Sequence, residues 1–349
     1  MNQKIHVISL YEKAVHFTNI GNHKKAIQIY NQILKIDPND FESLVNKATS
    51  LSELGRFPDA IKYYDMAEKI NPYDFDVLYN KATTLYDAGM YHDAISYFDK
   101  ALRVEPQNME ALCNKANALT ALGKHDESIN TYDKALKISS DDPIILNNKG
   151  IVYAGQKNHK KAISCFVKAL QTKPDDVDSL CNKGNSLLEL QKYHDASDCF
   201  KKALKINPTD LDAAMRLGIA LNETNRPREA ISYFNRVLKK DPKNTDVIIN
   251  KGISYHILGR YAKALGYFDK ALKYDGHDVN ALYYKARSLA MQKKDKGVLD
   301  ALKLAFHEYE KHEHGHDDNE EIFKERIRKD KVFLRLFNNT EFQKLVKQV

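Results

Sequence analysis

A proline recurs every 34 residues along this chain. Pro38, Pro72, Pro106, Pro174, Pro208 and Pro242 keep that spacing, or 68 residues across the place where Ser140 stands. The segments around them repeat as well, from Asp37-Pro38-Asn39-Asp40 to Asp275-Gly276-His277-Asp278. A phase held this long marks stacked copies of one supersecondary unit, each burying its apolar face against the next.

With each proline at position 32, units begin at residues 7, 41, 75, 109, 143, 177, 211, 245 and 279. Position 8 is Ala14, Ala48, Ala82, Ala116, Gly150, Gly184, Gly218, Gly252 and Ala286. Position 24 is aromatic from Tyr30 to Phe268 and then Leu302, while position 20 runs from Ala26 through Ala264 to Val298. Small residues at 8 and 20 let two helices approach closely, and the aromatic ring fills the space beside them. A first helix (A) carries apolar residues at 4, 8 and 11, such as Leu78, Ala82 and Leu85. A second (B) carries them at 20, 21, 24, 27 and 28, such as Ala94, Ile95, Phe98, Ala101 and Leu102. Both sets follow the 3.6-residue period. Position 34 is Asp or Asn, from Asp40 to Asp278, which predicts an N-cap for each following A helix. Gly21, Gly55, Gly89, Gly123 and Gly259 fall between the two helices.

This pattern resembles the tetratricopeptide repeat family over Val7 to about His312. Leu replaces the family's frequent Trp at position 4. The 34-residue phase differs from the 35-residue unit of pentatricopeptide RNA-binding repeats. The resemblance implies an all-α fold, a right-handed α-α superhelix (solenoid) of helical hairpins whose A helices line a concave face. It implies binding of a protein or peptide rather than catalysis. Residues 1–312 form the expected array, 313–319 a polar His/Asp-rich linker, and 320–349 C-terminal capping helices. In that last segment Thr340 and Gln343 have capping-box spacing. Phe333, Leu334, Phe337, Phe342 and Leu345 are expected to cover the open end of the stack.

Polar residues that recur on helix A outside its apolar stripe are the candidate site. Position 6 is Asn46, Asn80, Asn114, Asn148, Asn182 and Asn250, with Asn117 and Asn185 at position 9. A column of amides one repeat apart can offer donors and acceptors to the peptide groups of an extended chain. It resembles the asparagine ladder in the repeat domain of O-linked N-acetylglucosamine transferases. The same asparagines can instead bridge neighbouring A helices. Position 2 is acidic at Glu42, Asp76, Glu110, Asp178, Asp212 and Asp246, and position 13 at Glu53, Asp87, Glu189 and Glu223. A carboxylate in the first turn offsets the helix dipole, but that reason fails at position 13, near the helix C-terminus. The expected groove is therefore acidic and its ligand neutral or basic, although the chain carries a net charge of +7.

The positive charge falls on helix B, at Lys100, Lys134, Lys168, Lys202, Arg236 and Lys270 and at position 29, as a solvated convex stripe. The alternative function is a structural or assembly subunit that docks through its ends or this basic face. Nucleic acid is the lesser expectation, and so is a chaperone's acidic C-terminal tail, because no unit has Lys at position 5 or a base at position 2. Lysine at position 7 is expected to pack its stem and send its ammonium to water or a carboxylate.

No Gly-rich phosphate loop, nucleophile elbow or HExxH is present, and no cofactor is expected. His312, His314 and His316, with His307 and Asp317 nearby, could collect a divalent metal, but a hydrophilic linker is the expected reading and no metal site is assigned. Cys113, Cys165, Cys181 and Cys199 have no metal-ligand spacing and are expected to be reduced. Without a long apolar run or a signal peptide, the expected location is cytoplasmic, with no membrane insertion.

Overall fold

The computed structural model describes residues 2–311 and 320–346; the His312–His316 tract lies outside them. Among the described residues there are twenty α-helices and one 3-10 helix, and no strand. The A helices are Asn2–Asn19, Phe41–Glu53, Phe75–Asp87, Met109–Ala121, Pro143–Gly155, Val177–Glu189, Leu211–Glu223, Thr245–Ile257 and Val279–Met291. The B helices are His23–Ile36, Phe57–Ile70, Tyr91–Val104, His125–Ile138, His159–Thr172, Tyr193–Ile206, Pro227–Lys240, Tyr261–Tyr274 and Asp295–Lys311. They pair into nine hairpins, numbered here as repeats 1 to 9. The chain divides into two compact units, Met1–Pro174 with repeats 1–5 and Asp175–Val349 with repeats 6–9 and the terminal segment.

Each A helix begins where its cap dictates. The side chains of Asp40, Asp74, Asn108, Asp142, Asp176, Asp210, Asn244 and Asp278 each accept a hydrogen bond from the backbone N–H three residues on. Such a cap contributes about 1 kcal/mol. The A helix of repeat 1 starts before Val7, at Asn2. Between A and B the chain turns through a left-handed residue at position 15. Glycine holds this place in five repeats, with φ between 70° and 76°, and Lys157, Gln191, Asn225 and Lys293 hold it in the other four, at 57–59°.

Within a hairpin, the position-24 ring lies against the position-8 residue. Tyr30, Tyr64, Phe98, Tyr132, Phe166, Phe200, Phe234 and Phe268 are all buried to 1% exposure or less. Burying such a ring contributes about 1.5–3 kcal/mol. Where the ring is tyrosine its hydroxyl also finds a partner: Thr18 for Tyr30 at 3.3 Å, Thr49 for Tyr64 at 2.9 Å and the Asn117 carbonyl for Tyr132.

Each B helix packs on the next A helix inside its unit. There four of the position-7 lysines meet carboxylates. Lys81 bonds Asp65 (2.5 Å), Lys115 bonds Asp99 (2.5 Å), Lys285 bonds Asp269 (2.8 Å), and Lys149 bonds Asp133. Each joins an A helix to position 25 of the B helix before it. In repeats 2 and 8 that partner is Asn31 or Asn235, and the ammonium instead sits over a ring, Lys47 on Tyr63 at 3.6 Å and Lys251 on Tyr267 at 4.7 Å.

The terminal segment, Glu320–Lys329, the 3-10 helix Lys331–Asn338 and Thr340–Val346, packs on repeat 9. Phe333 and Phe342 are fully buried there, as expected, with Phe337 and Leu345 partly so. Leu334 is not part of this core; it is 61% exposed, and Leu336 takes the inward place because the 3-10 turn brings residues three apart onto one face. Phe323, Ile327 and Val346 complete the cover. The capping box is also corrected: Asn339 caps the last helix, accepting from Glu341 and Phe342 N–H, while Gln343 Nε2 donates to the Phe337 carbonyl.

Candidate functional site

Inside each unit, successive A helices touch one another, and the B helices of neighbouring repeats have no comparable contact. A row of helices that crowds together on one side lies on the inside of the stack's curve. Positions 2, 6, 9 and 13 fall four, three and four residues apart, so they form one stripe along each A helix. The sequence-predicted residues therefore share one face, repeat after repeat.

Asn46, Asn80, Asn114, Asn148, Asn182 and Asn250 are half-buried on that face. Asn46 Nδ2 donates to the Tyr11 hydroxyl and to the Glu42 carbonyl, both at 2.9 Å. Asn114 Nδ2 donates to the Tyr79 hydroxyl at 2.8 Å, and Asn250 Nδ2 to the Asp246 carbonyl at 2.9 Å. The bridging role is thus real at Asn46 and Asn114. Their carbonyl oxygens take no bond among the described residues, and neither amide group of Asn80 or Asn148 does. What the column presents is chiefly acceptors, with full amides at Asn80 and Asn148. Asn117 uses its carbonyl on Tyr132, and the Asn185 carbonyl is buried without a partner, because Phe200 stands where Tyr132 would have offered its hydroxyl.

The carboxylates of positions 2 and 13 are exposed: Glu42, Asp76, Glu110, Asp178, Asp212, Asp246, Glu53, Asp87, Glu189 and Glu223. Asp212 is neutralised by Arg216 at 2.8 Å on its own helix. Desolvation, and then the charge of Glu53, hold the Asp87 carboxyl above its ordinary range. The Tyr11 hydroxyl is pushed up by burial and by Glu42, and that of Tyr79 by burial and by Glu110.

A cavity of about 240 Å³ opens on the same face in repeats 3–5. Tyr86, Ala121, Ile151 and Val152 form its apolar wall, with Asn117 and Asn148 beside them. The exposed Ile144 and Ile151 carry the apolar surface along repeat 5. In the sequence this region is marked only by the loss of the acid at position 2 in repeat 5, where Ile144 stands.

On the convex side the stripe is partly engaged in the fold. Lys100 bonds Glu68 at 2.8 Å, and Arg236 donates to the Asp210 carbonyl at 2.9 Å. The four cysteines are free thiols; burial pushes Cys113 up to about 11 and Cys181 up to about 12. Among the described residues, no three His, Cys, Asp or Glu side chains gather as metal ligands do, and no helix is long and apolar enough to cross a membrane.

Family models described as tetratricopeptide repeat match residues 8–40, 29–62, 79–143, 143–176, 177–210, 212–244 and 246–278. No curated protein matches the chain. Among solved structures it is similar to YrrB, described as a TPR protein with an unusual peptide-binding site, at 28% identity and a TM-score of 0.50. That match covers 54% of this chain and 97% of YrrB. A tetratricopeptide repeat protein from Parabacteroides merdae aligns at 22% identity and a TM-score of 0.56, over 72% of this chain and 96% of the other. The C-terminal part of a TPR repeat-containing protein from Cytophaga hutchinsonii aligns at 17% and 0.58, over 69% and 98%. The last two speak for the fold alone.

Proposed function

Because the chain belongs to the tetratricopeptide repeat family, we propose that it is a non-catalytic scaffold whose inner A-helix face binds an extended segment of a partner protein. The observation that carries this reading is the run Asn80, Asn114 and Asn148 in three consecutive repeats. Among the described residues two of these amides are unbonded, and the third has a spare carbonyl. These half-buried amides are open to solvent, so a ligand can replace the water on them, and a peptide backbone supplies donors and acceptors together. YrrB, of similar fold, carries a peptide-binding site. The exposed carboxylates at positions 2 and 13 favour a neutral or basic segment over an acidic one. Thiols held protonated by burial are poor nucleophiles, in keeping with a role in binding.

The test is a peptide array probed with the wild type and with the triple variant Asn80→Ala, Asn114→Ala, Asn148→Ala. Loss of binding with an unchanged thermal unfolding curve is expected. Equal binding by both proteins ends the amide reading.

A further inference from the structure

The inner face of repeats 2–5 changes character along its length. In repeats 2 and 3, position 13 is Glu53 and Asp87; in repeats 4 and 5 it is Ala121 and Gly155. Position 2 changes in the same direction, from Glu42, Asp76 and Glu110 to Ile144. One end is anionic, and the other holds the cavity walled by Tyr86, Ala121, Ile151 and Val152.

A void of about 150 Å³ with apolar walls takes a benzene ring, so a space of about 240 Å³ accommodates one Leu- or Phe-sized side chain. Of the polar groups in its mainly apolar lining, the Asn117 carbonyl accepts from Tyr132 and the Thr120 hydroxyl donates to the Ala116 carbonyl, which leaves the amide nitrogen of Asn117 and the amide of Asn148 open at the rim. Ile144 and Ile151 are 68% and 43% exposed, on one stripe of the same helix. Among the described residues, nothing packs over these two side chains. At the other end, Glu53 and Asp87 face solvent without a cation among the described residues, close enough that one raises the proton affinity of the other. A groove that pairs an open apolar cavity with two uncompensated carboxylates is complementary to a ligand bearing one apolar and two basic side chains.

The spacing follows from the repeat. Neighbouring helices stand about 8–10 Å apart and an extended chain advances about 3.3 Å per residue, so one repeat step matches about three ligand residues. Asp87 lies one step from Ala121 at the cavity's rim and Glu53 lies two. We propose that repeats 2–5 bind an extended segment whose apolar side chain fills this cavity, with Lys or Arg about three and about six positions away meeting Asp87 and Glu53. This rests on the inner face being a peptide groove, and adds which peptides it selects.

The probes are labelled twelve-residue peptides on a Gly/Ser background, bearing Lys-x-x-Lys-x-x-Leu or the reverse order. Controls replace both Lys by Glu, or Leu by Ala. Titrated by fluorescence anisotropy into the full chain, one order should bind at least tenfold tighter than either control. Ala121→Trp fills the cavity from an exposed position and should abolish the preference for Leu over Ala. Ile151→Ser should do the same without added bulk. The pair Glu53→Gln, Asp87→Asn should abolish the preference for Lys over Glu. Equal binding of both orders and their controls overturns the proposal, as does a Leu preference that survives both cavity variants. If the triple asparagine variant loses array binding while the cavity variants do not, the groove stands and this selectivity fails.

Discussion

Gly218 lies directly against the ring of Phe234: a Cβ added to the glycine would come within 2.5 Å of Phe234 Cε1. Gly150, Gly184 and Gly252 meet Phe166, Phe200 and Phe268 in the same way, at 2.5–2.7 Å. Repeats 1, 2 and 4 pair alanine with tyrosine instead, repeat 3 pairs Ala82 with Phe98, and repeat 9 pairs Ala286 with Leu302. In repeats 5 to 8 the glycine at position 8 is therefore matched to the phenylalanine at position 24. Both residues are in the core and the ring is enclosed on all sides, so it has little room to withdraw.

Gly218→Ala tests this match against backbone preference. In a helix interior alanine is better than glycine by about 1 kcal/mol, so an unhindered site would be stabilised. Here the clash costs about 1–3 kcal/mol, and the expected net result is a lower urea midpoint. Gly155→Ala, where an added Cβ meets nothing within 4 Å, is the control; it should be neutral or stabilising.

The reverse substitution is expected to help at the A–B turn. Lys157 and Gln191 hold φ near 58° and 57°, a left-handed conformation that costs a side-chain-bearing residue about 1–2 kcal/mol. Lys157→Gly and Gln191→Gly should each raise stability by roughly 0.5–1 kcal/mol after the greater chain entropy of glycine is counted. Asn225 tolerates that region better, so Asn225→Gly should gain least. Thermal unfolding of the three variants gives the order directly.

Much of this fold is written in single positions that recur. The caps at position 34, the small residues at 8 and 20 and the ring at 24 each act within one hairpin or its neighbour, so a period in the sequence is a contact in space. Features that occur once are harder to see. Glu68 occupies position 28, where other repeats have Leu or Phe, and only the folded chain shows Lys81 and Lys100 arriving to meet it. The bonds from Asn46 to Tyr11 and from Asn114 to Tyr79 need tyrosine at position 5, which Val45 and Cys113 do not supply. The column of amides was legible; which of their atoms the fold itself engages was not. The cavity of repeats 3–5 was equally hidden, since it is made by side chains of three repeats whose identities change at each step.

The Glu68 network makes the stack acid-sensitive. Lys81 Nζ donates to Asp65, Glu68 and the Tyr97 hydroxyl, at 2.5, 2.8 and 2.5 Å, with its side chain only 4% exposed. Burial opposes its charge, but these bonds outweigh it and raise the Lys81 pKa. Burial likewise works against the Glu68 charge, and the bonds from Lys100 and Lys81 overcome it and lower its pKa. A carboxylate with a depressed folded pKa contributes stability that is complete above its unfolded value, about 4.5, and is lost as pH falls through the folded value. Urea midpoints measured from pH 6 to pH 3 should fall below pH 4.5, and less steeply in Glu68→Gln. Lys81→Met should cost about 3 kcal/mol, since it strips a partner from a half-buried acid. Lys115→Met, at the more exposed pair with Asp99, should cost about 1 kcal/mol or less.

His256 sets a second, higher pH window in the unit that ends in the terminal segment. Its Nδ1 lies 2.8 Å from the hydroxyl of Ser288, which is fully buried in repeat 9. Burial first, and then the positive charge of Arg287, lower the His256 pKa from 6.5 to about 4; Asp330, in the terminal segment, pulls the other way without prevailing. Asp330 is held in place by Arg287 at 2.8 Å and by the Tyr283 hydroxyl at 2.7 Å, so its effect depends on the cover staying docked. Between pH 6.5 and about 4 the unfolded chain takes up a proton that the folded chain refuses. Stability therefore rises with pH across that window, by up to about 1.4 kcal/mol per unit, and is level in this respect above 6.5. His256→Gln, which can still reach Ser288 but does not titrate, should flatten the profile between pH 4.5 and 6.5 while leaving the steeper loss below 4.5 that belongs to Glu68. A wild-type profile already flat above pH 4.5 would show that the imidazole is hydrated in the folded chain, and that the contact between repeats 8 and 9 opens more readily than its packing implies.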